Sequence, residues 1–254
     1  MFQNGLRQRA MHRIGYALGR RSQLGRRLVW RAGRWTTLQR LLLGGPNIMR
    51  PWEDDKAFKD AAADSLRLSL CSPQSLYNLY QSVLNVRGLV GDVAEVGVYT
   101  GGSAVLLSRI LAGTGKTLVL FDTFEGLPDS TDRQADPSWR PGDLDASLEA
   151  VQHHLAPWKE NVAFAVGVFP DTTQRIEERK FALVHVDVDI RQSVWDCCEY
   201  FYPRMIPGGI MVFDDYGFRS CVGARQAVDE FFATRPESPL YVETGQALIW
   251  RRPN

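Results

Sequence analysis

Short apolar runs of strand length alternate with amphipathic segments of helix length from residue 92 onward. An apolar run bounded by turn residues indicates a buried strand, and apolar residues at every third or fourth position indicate a helix. The predicted strands cover residues 92–98, 116–124, 161–169, 181–190 and 208–216. The predicted helices cover residues 103–113, 143–158, 193–205 and 221–235. This alternation predicts an α/β fold with a doubly wound, mostly parallel sheet and helices on both faces.

Both ends of the pattern differ from its middle. Residues 54–68 and 72–87 have helical periodicity before the first strand, and Ser72 suits the N-cap of the second of these helices. Residues 239–243 and 246–252 are two short apolar runs joined by a turn, so we expect an antiparallel last pair of strands.

The composition is that of an ordinary globular protein, with 44% hydrophobic and 23% charged residues in a chain of 254. Its four cysteines lack metal-binding spacing, which favours reduced thiols in a cytoplasmic protein. No apolar run approaches the length of a membrane span, and the N-terminus lacks the layout of a secretory signal.

Charge divides the chain into a basic extension, residues 1–50, and a domain, residues 51–254. The extension holds eleven arginines and no Lys, Asp or Glu, which leaves 19 basic and 29 acidic side chains in the domain, a net charge of −10. Arginines mixed with apolar residues fit peripheral contact with an anionic membrane, an organelle-targeting presequence or a dock for an acidic partner. An arm packed on the domain or on a second subunit is the alternative. We therefore expect a homo-oligomer, and the acidic domain argues against a nucleic-acid partner.

A glycine-rich turn, Glu95 to Ser103, follows the first predicted strand with the spacing ExGxxxGG. Glycines let the backbone approach a ligand closely at the carboxyl end of a strand. Because the spacing is not GxGxxG, a nucleoside held with an acidic residue is favoured over a dinucleotide pyrophosphate. A βα turn without a ligand remains the alternative.

An acidic residue, Asp122, ends the second predicted strand. Carboxylates at this position grip the two hydroxyls of a ribose, which S-adenosylmethionine and NAD both contain. The antiparallel last pair of strands favours the methyltransferase form of the sheet.

Four aspartates end the fourth and fifth predicted strands: Asp187, Asp189, Asp214 and Asp215. Residues two apart on a strand share a face, so Asp187 and Asp189 should project together, whereas the two adjacent aspartates converge only if the chain bends. Clustered carboxylates repel one another unless a cation joins them, and oxygen ligands favour Mg²⁺, with Mn²⁺ or Ca²⁺ as alternatives. Helix caps and solvated strand ends are the competing interpretation, with Asp189 as the cap of a helix that begins near residue 192.

Several stretches, in chain order, resemble the macrocin O-methyltransferase (TylF-type) family of class I S-adenosylmethionine-dependent methyltransferases. They are DVAEVGVYTGGS, FDTFEGLPDS, VGVFPDTT, HVDVDIRQSVWDCCEYFYPRMIPGGIMVFDDYG and CVGARQAVDEFF, and the resemblance covers roughly residues 54–252. It implies a Rossmann-like fold and a Mg²⁺-dependent O-methyltransferase that acts on sugar hydroxyls in natural product biosynthesis.

The resemblance also implies roles for individual residues. Asp189 would be the general base, and the metal ligands would be Asp187, Asp214 and Asp215. Residues around the cofactor would be Glu95, Gly97, Val98, Tyr99, Gly101, Ser103, Asp122, Thr123, Gly167 and Phe169. His185 is a reserve base, although a buried histidine with a hydrogen-bonded ring is the simpler interpretation.

The chain departs from the family pattern at Arg191 and Gln192, where members usually have Tyr and Glu. An anionic acceptor would suit Arg191, and a surface arginine is the alternative. The expected acceptor is a hydroxyl of a sugar, a glycosylated natural product or a glycolipid. A metal-dependent glycosyltransferase with a DxD motif and a non-catalytic scaffold are alternative functions. The long loop of residues 125–145 is interpreted as a lid or acceptor contact, or as an ordinary surface loop.

Overall fold

A computed structural model describes residues 49–175 and 178–253. Residues Asp55–Asn254 form one compact unit, and the short helix α1 (Pro51–Asp54) lies outside that unit. The predictions made for the basic extension fall on residues outside the described ones, except at its last two positions. In the described part of the chain, no helix is both long and apolar enough to cross a membrane.

Seven strands form one sheet in the order β3-β2-β1-β4-β5-β7-β6. The strands are β1 (Asp92–Val96), β2 (Leu118–Asp122), β3 (Val162–Val166), β4 (Phe181–Val186), β5 (Met205–Phe213), β6 (Leu240–Tyr241) and β7 (Ala247–Trp250). The first five pair in parallel, whereas β7 pairs antiparallel with both β5 and β6. The predicted doubly wound sheet with an antiparallel last pair is confirmed.

Helices cover both faces of this sheet. They are α2 (Lys56–Ala62), α3 (Ser65–Leu68), α4 (Pro73–Val86), α5 (Gly102–Leu111), α6 (Leu148–Leu155), α7 (Arg191–Phe201) and α8 (Val222–Phe232). One core cluster joins α7 and α8 to residues such as Val119 and Phe121, and the other joins α4, α5 and α6 to Leu118 and Leu120. Alternate residues of β2 thus point to opposite faces, as strand geometry requires.

Helix boundaries differ from the sequence prediction where a side chain caps a helix. Ser147 Oγ accepts the N–H of Ala150 at 3.1 Å, so α6 begins at Leu148 rather than at the predicted residue 143. The predicted helix of residues 54–68 is broken into shorter pieces, one of them capped by Asp55. The predicted cap Ser72 is confirmed, because its Oγ accepts the N–H of Ser75 at 3.0 Å.

Strand register brings the candidate residues to one edge of the sheet. Val186 in β4 pairs with Val96 in β1 and with Phe213 in β5. The next residues, Gly97, Asp187 and Asp214, therefore lie side by side just beyond the carboxyl ends of three adjacent strands. The β4 and β5 ends are the positions at which the sequence places its acidic pairs.

Candidate active site

The turn after β1 fits glycine alone at its first position. Gly97 has a φ of +87°, and a Cβ there would overlap the carbonyl oxygen of Asp187. A side chain at Gly97 would thus separate β1 from the end of β4. Close approach of backbone to backbone, together with a left-handed conformation, explains the glycine physically. The turn is thereby fixed directly against the first aspartate of the acidic cluster.

The carboxylate of Asp122 fixes the residues that follow Gly97 in this turn by accepting their backbone N–H groups. Its Oδ2 accepts the N–H groups of Val98 at 2.6 Å and Tyr99 at 2.9 Å, and its Oδ1 accepts the N–H of Phe124 at 2.7 Å. An ionised carboxylate offers about four acceptor positions, so these three bonds leave about one for a ligand. Asp122 therefore organises the crevice, in addition to any contact with a ribose.

The other predicted cofactor residues of the turn lie at the start of α5. Gly101 has a φ of +83° and forms the N-cap position, where no side chain caps the helix. Ser103 is buried in the first turn of the helix. Thr123, after β2, donates its hydroxyl to the carbonyl of Gly126 at 2.7 Å. These residues surround the carboxyl ends of β1 and β2, which is where ligands bind in open α/β sheets.

Glu95 lies beneath the crevice, within β1, and is fully buried. Its Oε1 is 2.8 Å from Nδ1 of His185, which is also buried. Burial alone would lower the pKa of His185, but Asp214, Glu95 and Asp187 outweigh it and hold this pKa well above the usual value. His185 is therefore a buried, hydrogen-bonded histidine, which favours the structural interpretation over a role as a base.

Gly167 and Phe169 follow β3 on the far side of β2. The N–H of Gly167 donates to the carbonyl of Asp122 at 3.0 Å, so the backbone after β3 is tied to the end of β2. Phe169 is 8% exposed, and its ring packs edge-on against Phe121 with centroids 5.3 Å apart. The ring of Phe169 thus belongs mainly to the core, and Gly167 presents backbone at the crevice.

The structure sorts the four aspartates into two sets, each with one cysteine. The strand-end set is Cys71, Asp187 and Asp214, and the turn set is Asp189, Asp215 and Cys221. In the strand-end set, Cys71 Sγ lies 3.8 Å from Oδ2 of both aspartates. In the turn set, Cys221 Sγ lies 3.4 Å from Asp189 Oδ1 and 3.8 Å from Asp215 Oδ1.

The expectation that Asp187 and Asp189 project together from one strand is wrong. β4 ends at Val186, and Asp189 has a φ of +59°, a left-handed conformation that is rare for a residue other than glycine. The N–H of Asp189 donates to Asp215 Oδ2 at 2.8 Å, and Ile190 N–H closes a three-residue turn onto the Val188 carbonyl at 2.6 Å. This turn places Asp189 beside Asp215, in a different set from Asp187.

Asp189 is also not the cap of the following helix. α7 begins at Arg191, and Ile190 at its N-cap position supplies no side-chain hydrogen bond. The cap comes instead from Asp136, whose Oδ1 accepts the N–H of Arg191 at 3.1 Å. The helix-cap alternative therefore does not explain Asp189.

Burial and mutual repulsion dominate the electrostatics of both sets. Burial, then Asp214 and Asp215, raise the pKa of Asp187 well above its usual value. Burial and the nearby Asp215 do the same to the pKa of Asp189, and burial with Asp214 raises the pKa of Asp215 to about 7. Such a cluster is short of positive charge, a condition that a bound cation relieves.

Three residues near the aspartates carry no sequence signal for the site. Cys71 and Cys221 are free cysteines whose contacts with the aspartates arise only from the fold. Gln246 precedes β7 and donates its Nε2 to Asp214 Oδ1 at 2.7 Å and to the Ser75 carbonyl at 3.3 Å. Gln246 thereby orients a strand-end carboxylate from the antiparallel side of the sheet.

The guanidinium of Arg191 pairs with Glu230 on the outer side of α8. Its side chain is directed at that helix, and this favours the surface interpretation of Arg191 over contact with an anionic acceptor. Gln192, the other departure from the family pattern, donates to Asp196 one turn along α7 at 2.8 Å.

The residues present fit a hard divalent cation. Carboxylate oxygens at the strand-end set provide the ligand type that Mg²⁺ and Mn²⁺ prefer. His185 Nε2 is buried, has no hydrogen-bond partner among the described residues and lies 3.6 Å from Asp214 Oδ1. Polar side chains that lie behind a metal ligand in this way support its orientation in known metal sites.

Comparison with known proteins decides the family. The macrocin-O-methyltransferase (TylF) family matches residues 51–252. This chain belongs to the macrocin-O-methyltransferase family. It is accordingly an O-methyltransferase, as the sequence resemblance predicts, and the family supports S-adenosylmethionine as the methyl donor.

Individual members of the macrocin-O-methyltransferase family are similar over the same domain. The 8-demethyl-8-(2,3-dimethoxy-alpha-L-rhamnosyl)-tetracenomycin-C 4'-O-methyltransferase of Streptomyces olivaceus is 30% identical over 177 residues, 65% of this chain and 67% of that protein. The mycinamicin III 3''-O-methyltransferase of Micromonospora griseorubida is 31% identical over 180 residues, 65% and 70% of the two chains. The matched regions thus span about two thirds of each relative.

A solved structure is similar to this chain as well. The O-methyltransferase NovP superposes with a TM-score of 0.66 at 25% identity, covering 77% of this chain and 88% of NovP. This chain therefore has the class I methyltransferase fold, as its structure and its sequence both show. The glycosyltransferase alternative is not supported, because the family transfers methyl groups.

Proposed function

We propose that this protein transfers a methyl group from S-adenosylmethionine to a hydroxyl of a sugar, a glycosylated natural product or a glycolipid, with the help of Mg²⁺ or Mn²⁺. The observation that carries the proposal is the contact between Gly97 and the carbonyl oxygen of Asp187. This contact sets the glycine-rich turn directly against the acidic cluster, so that a methyl donor and an acceptor hydroxyl would meet between them.

The cofactor would bind across the carboxyl ends of β1 and β2. Asp122 stiffens the turn through three backbone N–H groups and keeps about one acceptor position for a ribose hydroxyl. The backbone of Val98, Tyr99 and Gly167 would line this crevice, and Glu95 supports it from below through His185. When bound, the cofactor supplies an electrophilic methyl group.

Asp187, Asp214 and Asp215 would hold the cation. Asp187 and Asp214 already share the strand-end set, and Asp215 is near enough to raise the pKa of Asp187. Gln246 orients the carboxylate of Asp214 through a hydrogen bond, and His185 Nε2 lies 3.6 Å behind it. A cation at these residues would lower the pKa of an acceptor hydroxyl.

Asp189 would take the proton of the acceptor hydroxyl. Its backbone N–H donates to Asp215 Oδ2, and its Oδ1 accepts the thiol hydrogen of Cys221 at 3.4 Å. Removal of the hydroxyl proton by Asp189 would let the acceptor oxygen bond to the methyl group that S-adenosylmethionine supplies, with S-adenosylhomocysteine as the leaving group. The products are a methyl ether and S-adenosylhomocysteine.

The acceptor class comes from the relatives' names. A rhamnosyl tetracenomycin and mycinamicin III are the acceptors named for the two relatives, and both names place the transfer on a specific oxygen. The acidic domain and the absence of a side-chain contact from Arg191 to the cluster favour a neutral, polyhydroxylated acceptor over an anionic one.

Calorimetry and methyl transfer together test this proposal. The purified protein is titrated with S-adenosylhomocysteine and with Mn²⁺, and then incubated with S-adenosylmethionine, Mg²⁺ and the two acceptors named above. We expect binding of both ligands and a product that is heavier by one methyl-for-hydrogen exchange, lost on addition of EDTA. Binding of S-adenosylhomocysteine without Mn²⁺ binding or turnover would support the non-catalytic scaffold instead.

A further inference from the structure

The loop of residues 125–145 is anchored beside the turn set by two adjacent residues, Ala135 and Asp136. Both are buried, and the side chain of Asp136 is 0% exposed although it is acidic and lies in a connecting loop. A carboxylate is stable in such a place only where polar groups satisfy it. The partners of Asp136 therefore indicate what it does.

Asp136 supplies the missing N-cap of α7. Its two oxygens lie 3.1 and 3.2 Å from the N–H of Arg191, and Ser130 donates its hydroxyl to Oδ2 at 2.6 Å. Ile190, the residue before the helix, has no capping side chain. A carboxylate at this position satisfies free N–H groups and complements the helix dipole. The cap is thus provided from a loop 55 residues earlier in the chain.

The same segment is fitted to the start of α8. The N–H of Gly223 donates to the carbonyl of Ala135 at 3.1 Å. A Cβ at Gly223 would overlap Asp136 Oδ1 and would lie 2.8 Å from Cβ of Arg191. Glycine at this position of α8 therefore makes room for the loop.

The two helix starts joined by this loop both flank Asp189. Asp189 lies two residues before Arg191, and Cys221, just before α8, donates its thiol to Asp189 Oδ1 at 3.4 Å. A left-handed backbone at a residue other than glycine persists only where its surroundings impose it. Asp136 is the loop residue that contacts both helix starts, at Arg191 of α7 and at Gly223 of α8.

We infer that Asp136 is a positioning residue: by capping α7 and seating against Gly223, it fixes the left-handed turn that aims Asp189 at the acceptor. This inference rests on the proposed function of Asp189 as the base. It assigns the loop of residues 125–145 a second role, since the loop would control the catalytic geometry as well as cover the acceptor.

The test compares helix caps at two sites in the full-length protein. Asp136→Ala removes the cap of α7, and Asp136→Asn keeps one acceptor oxygen and the shape of the side chain. Asp55→Ala is the matched control, because Asp55 caps α2 by accepting the N–H of Phe58 at 2.9 Å, outside both aspartate sets. Each variant is measured for kcat, for binding of S-adenosylhomocysteine and Mn²⁺, and for amide exchange at Arg191.

We expect Asp136→Ala to lower kcat about 100-fold, with a smaller loss for Asp136→Asn. Binding of S-adenosylhomocysteine and Mn²⁺ should stay within about threefold of the wild type, while amide exchange at Arg191 becomes about fivefold to tenfold faster. Asp55→Ala should lower the melting temperature without changing kcat. A loss of kcat in Asp136→Ala that is absent from Asp55→Ala would show that Asp136 acts on the geometry of the site and not only on the stability of the protein.

Gly223→Ala provides a second approach that does not remove the carboxylate. Alanine favours a helix by propensity, yet its methyl group should displace Asp136, so turnover should fall between about tenfold and 100-fold. In the double variant with Asp136→Ala the two losses should not add, because both act through one contact.

A kcat for Asp136→Ala within about twofold of the wild type would overturn the inference, as would additive losses in the double variant. If the wild type methylates neither acceptor, the proposed function fails, and the backbone of Asp189 decides this inference separately. A crystal structure of Asp136→Ala in which Asp189 keeps its left-handed φ would then contradict it, and a changed φ would support it.

Discussion

The strand-end set and the turn set differ in how the chain positions them. Asp187 and Asp214 each follow the last residue of a strand, and the pairing of Val186 with Phe213 fixes their separation. Asp189 and Asp215 lie in turns. Their relative position depends on the hydrogen bond that the N–H of Asp189 donates to Asp215 Oδ2. The first set depends on sheet register, whereas the second depends on contacts from other parts of the chain.

This difference suggests a division of labour. Rigid strand ends are suited to hold a cation, with Asp215 of the turn set as the proposed third ligand, because ligand oxygens must stay within narrow distance limits. The proposed base, Asp189, must point at one acceptor hydroxyl, and the conformation of Asp189 is set by a left-handed turn and by contacts from the starts of α7 and α8.

Asp187→Asn and Asp214→Asn should have the largest effect on cation binding. Even residues behind a metal ligand change affinity 10- to 100-fold, so loss of a ligand charge should cost at least about 100-fold in Mn²⁺ affinity, with turnover falling in parallel. Calorimetry measures the affinity. Asp60→Asn, an exposed carboxylate paired with Lys56, serves as the control and should bind Mn²⁺ normally. Normal binding by Asp187→Asn would remove the strand-end set from the metal site.

Gly97→Ala should destabilise the protein by about 3 kcal/mol, because the new methyl group overlaps the Asp187 carbonyl and φ is +87°. Gly113→Ala is the matched control: its φ is +74°, and a Cβ there meets nothing within 4 Å. That variant should lose only about 1 kcal/mol, from backbone strain alone. Urea unfolding of both variants measures the difference, and equal losses would show that the Gly97–Asp187 contact is not tight.

The metal-free protein should become less stable as pH rises from 5 to 8. The folded protein holds the pKa of Asp215 at about 7, above its usual 3.8, so the folded state binds more protons than the unfolded state in this range. The contribution of Asp215 to stability is complete below pH 3.8 and is lost as pH rises through 7, and about 3 kcal/mol of that loss falls between pH 5 and pH 8. Thermal unfolding in EDTA checks the direction, and added Mn²⁺ should offset the loss. A metal-free protein that is most stable at pH 8 would contradict the account.

Arg191→Gln should have the smallest effect. The guanidinium pairs with Glu230 in an exposed ion pair, which contributes less than about 1 kcal/mol, and its backbone N–H remains available to Asp136. Turnover and KM for the acceptor should change less than about twofold. Glu230→Gln should behave in the same way. A large rise in KM for Arg191→Gln alone would restore the interpretation that this residue contacts the acceptor.

The strand-end set could be predicted from sequence and the turn set only in part. Apolar runs that end in Asp187 and Asp214 indicate carboxylates at the edge of a parallel sheet, and the glycine turn and Asp122 are visible by the same logic. The resemblance to the macrocin-O-methyltransferase family adds roles to these residues. Local pattern was sufficient here because strand pairing carries these residues to a common edge.

Long-range contacts account for what the sequence did not reveal. The left-handed turn at Asp189 is imposed by Asp215, 26 residues later, and the cap of α7 comes from Asp136, 55 residues earlier. A period-two rule that extended β4 to residue 189 therefore gave the wrong partner for Asp189. Contacts of Cys71 with the strand-end set span more than 100 residues and leave no local signal.

Asp189→Asn tests the central claim most directly, because it keeps the size of the side chain and removes only the proposed base. Two quantities are measured on one preparation: kcat with an acceptor that the wild type methylates, and the dissociation constant of Mn²⁺. The account predicts a loss of kcat between about 100-fold and 10,000-fold, with the dissociation constant within about threefold of the wild type. Wild-type turnover, or a loss of Mn²⁺ binding as large as that of Asp187→Asn, would contradict the separation of base from cation ligands.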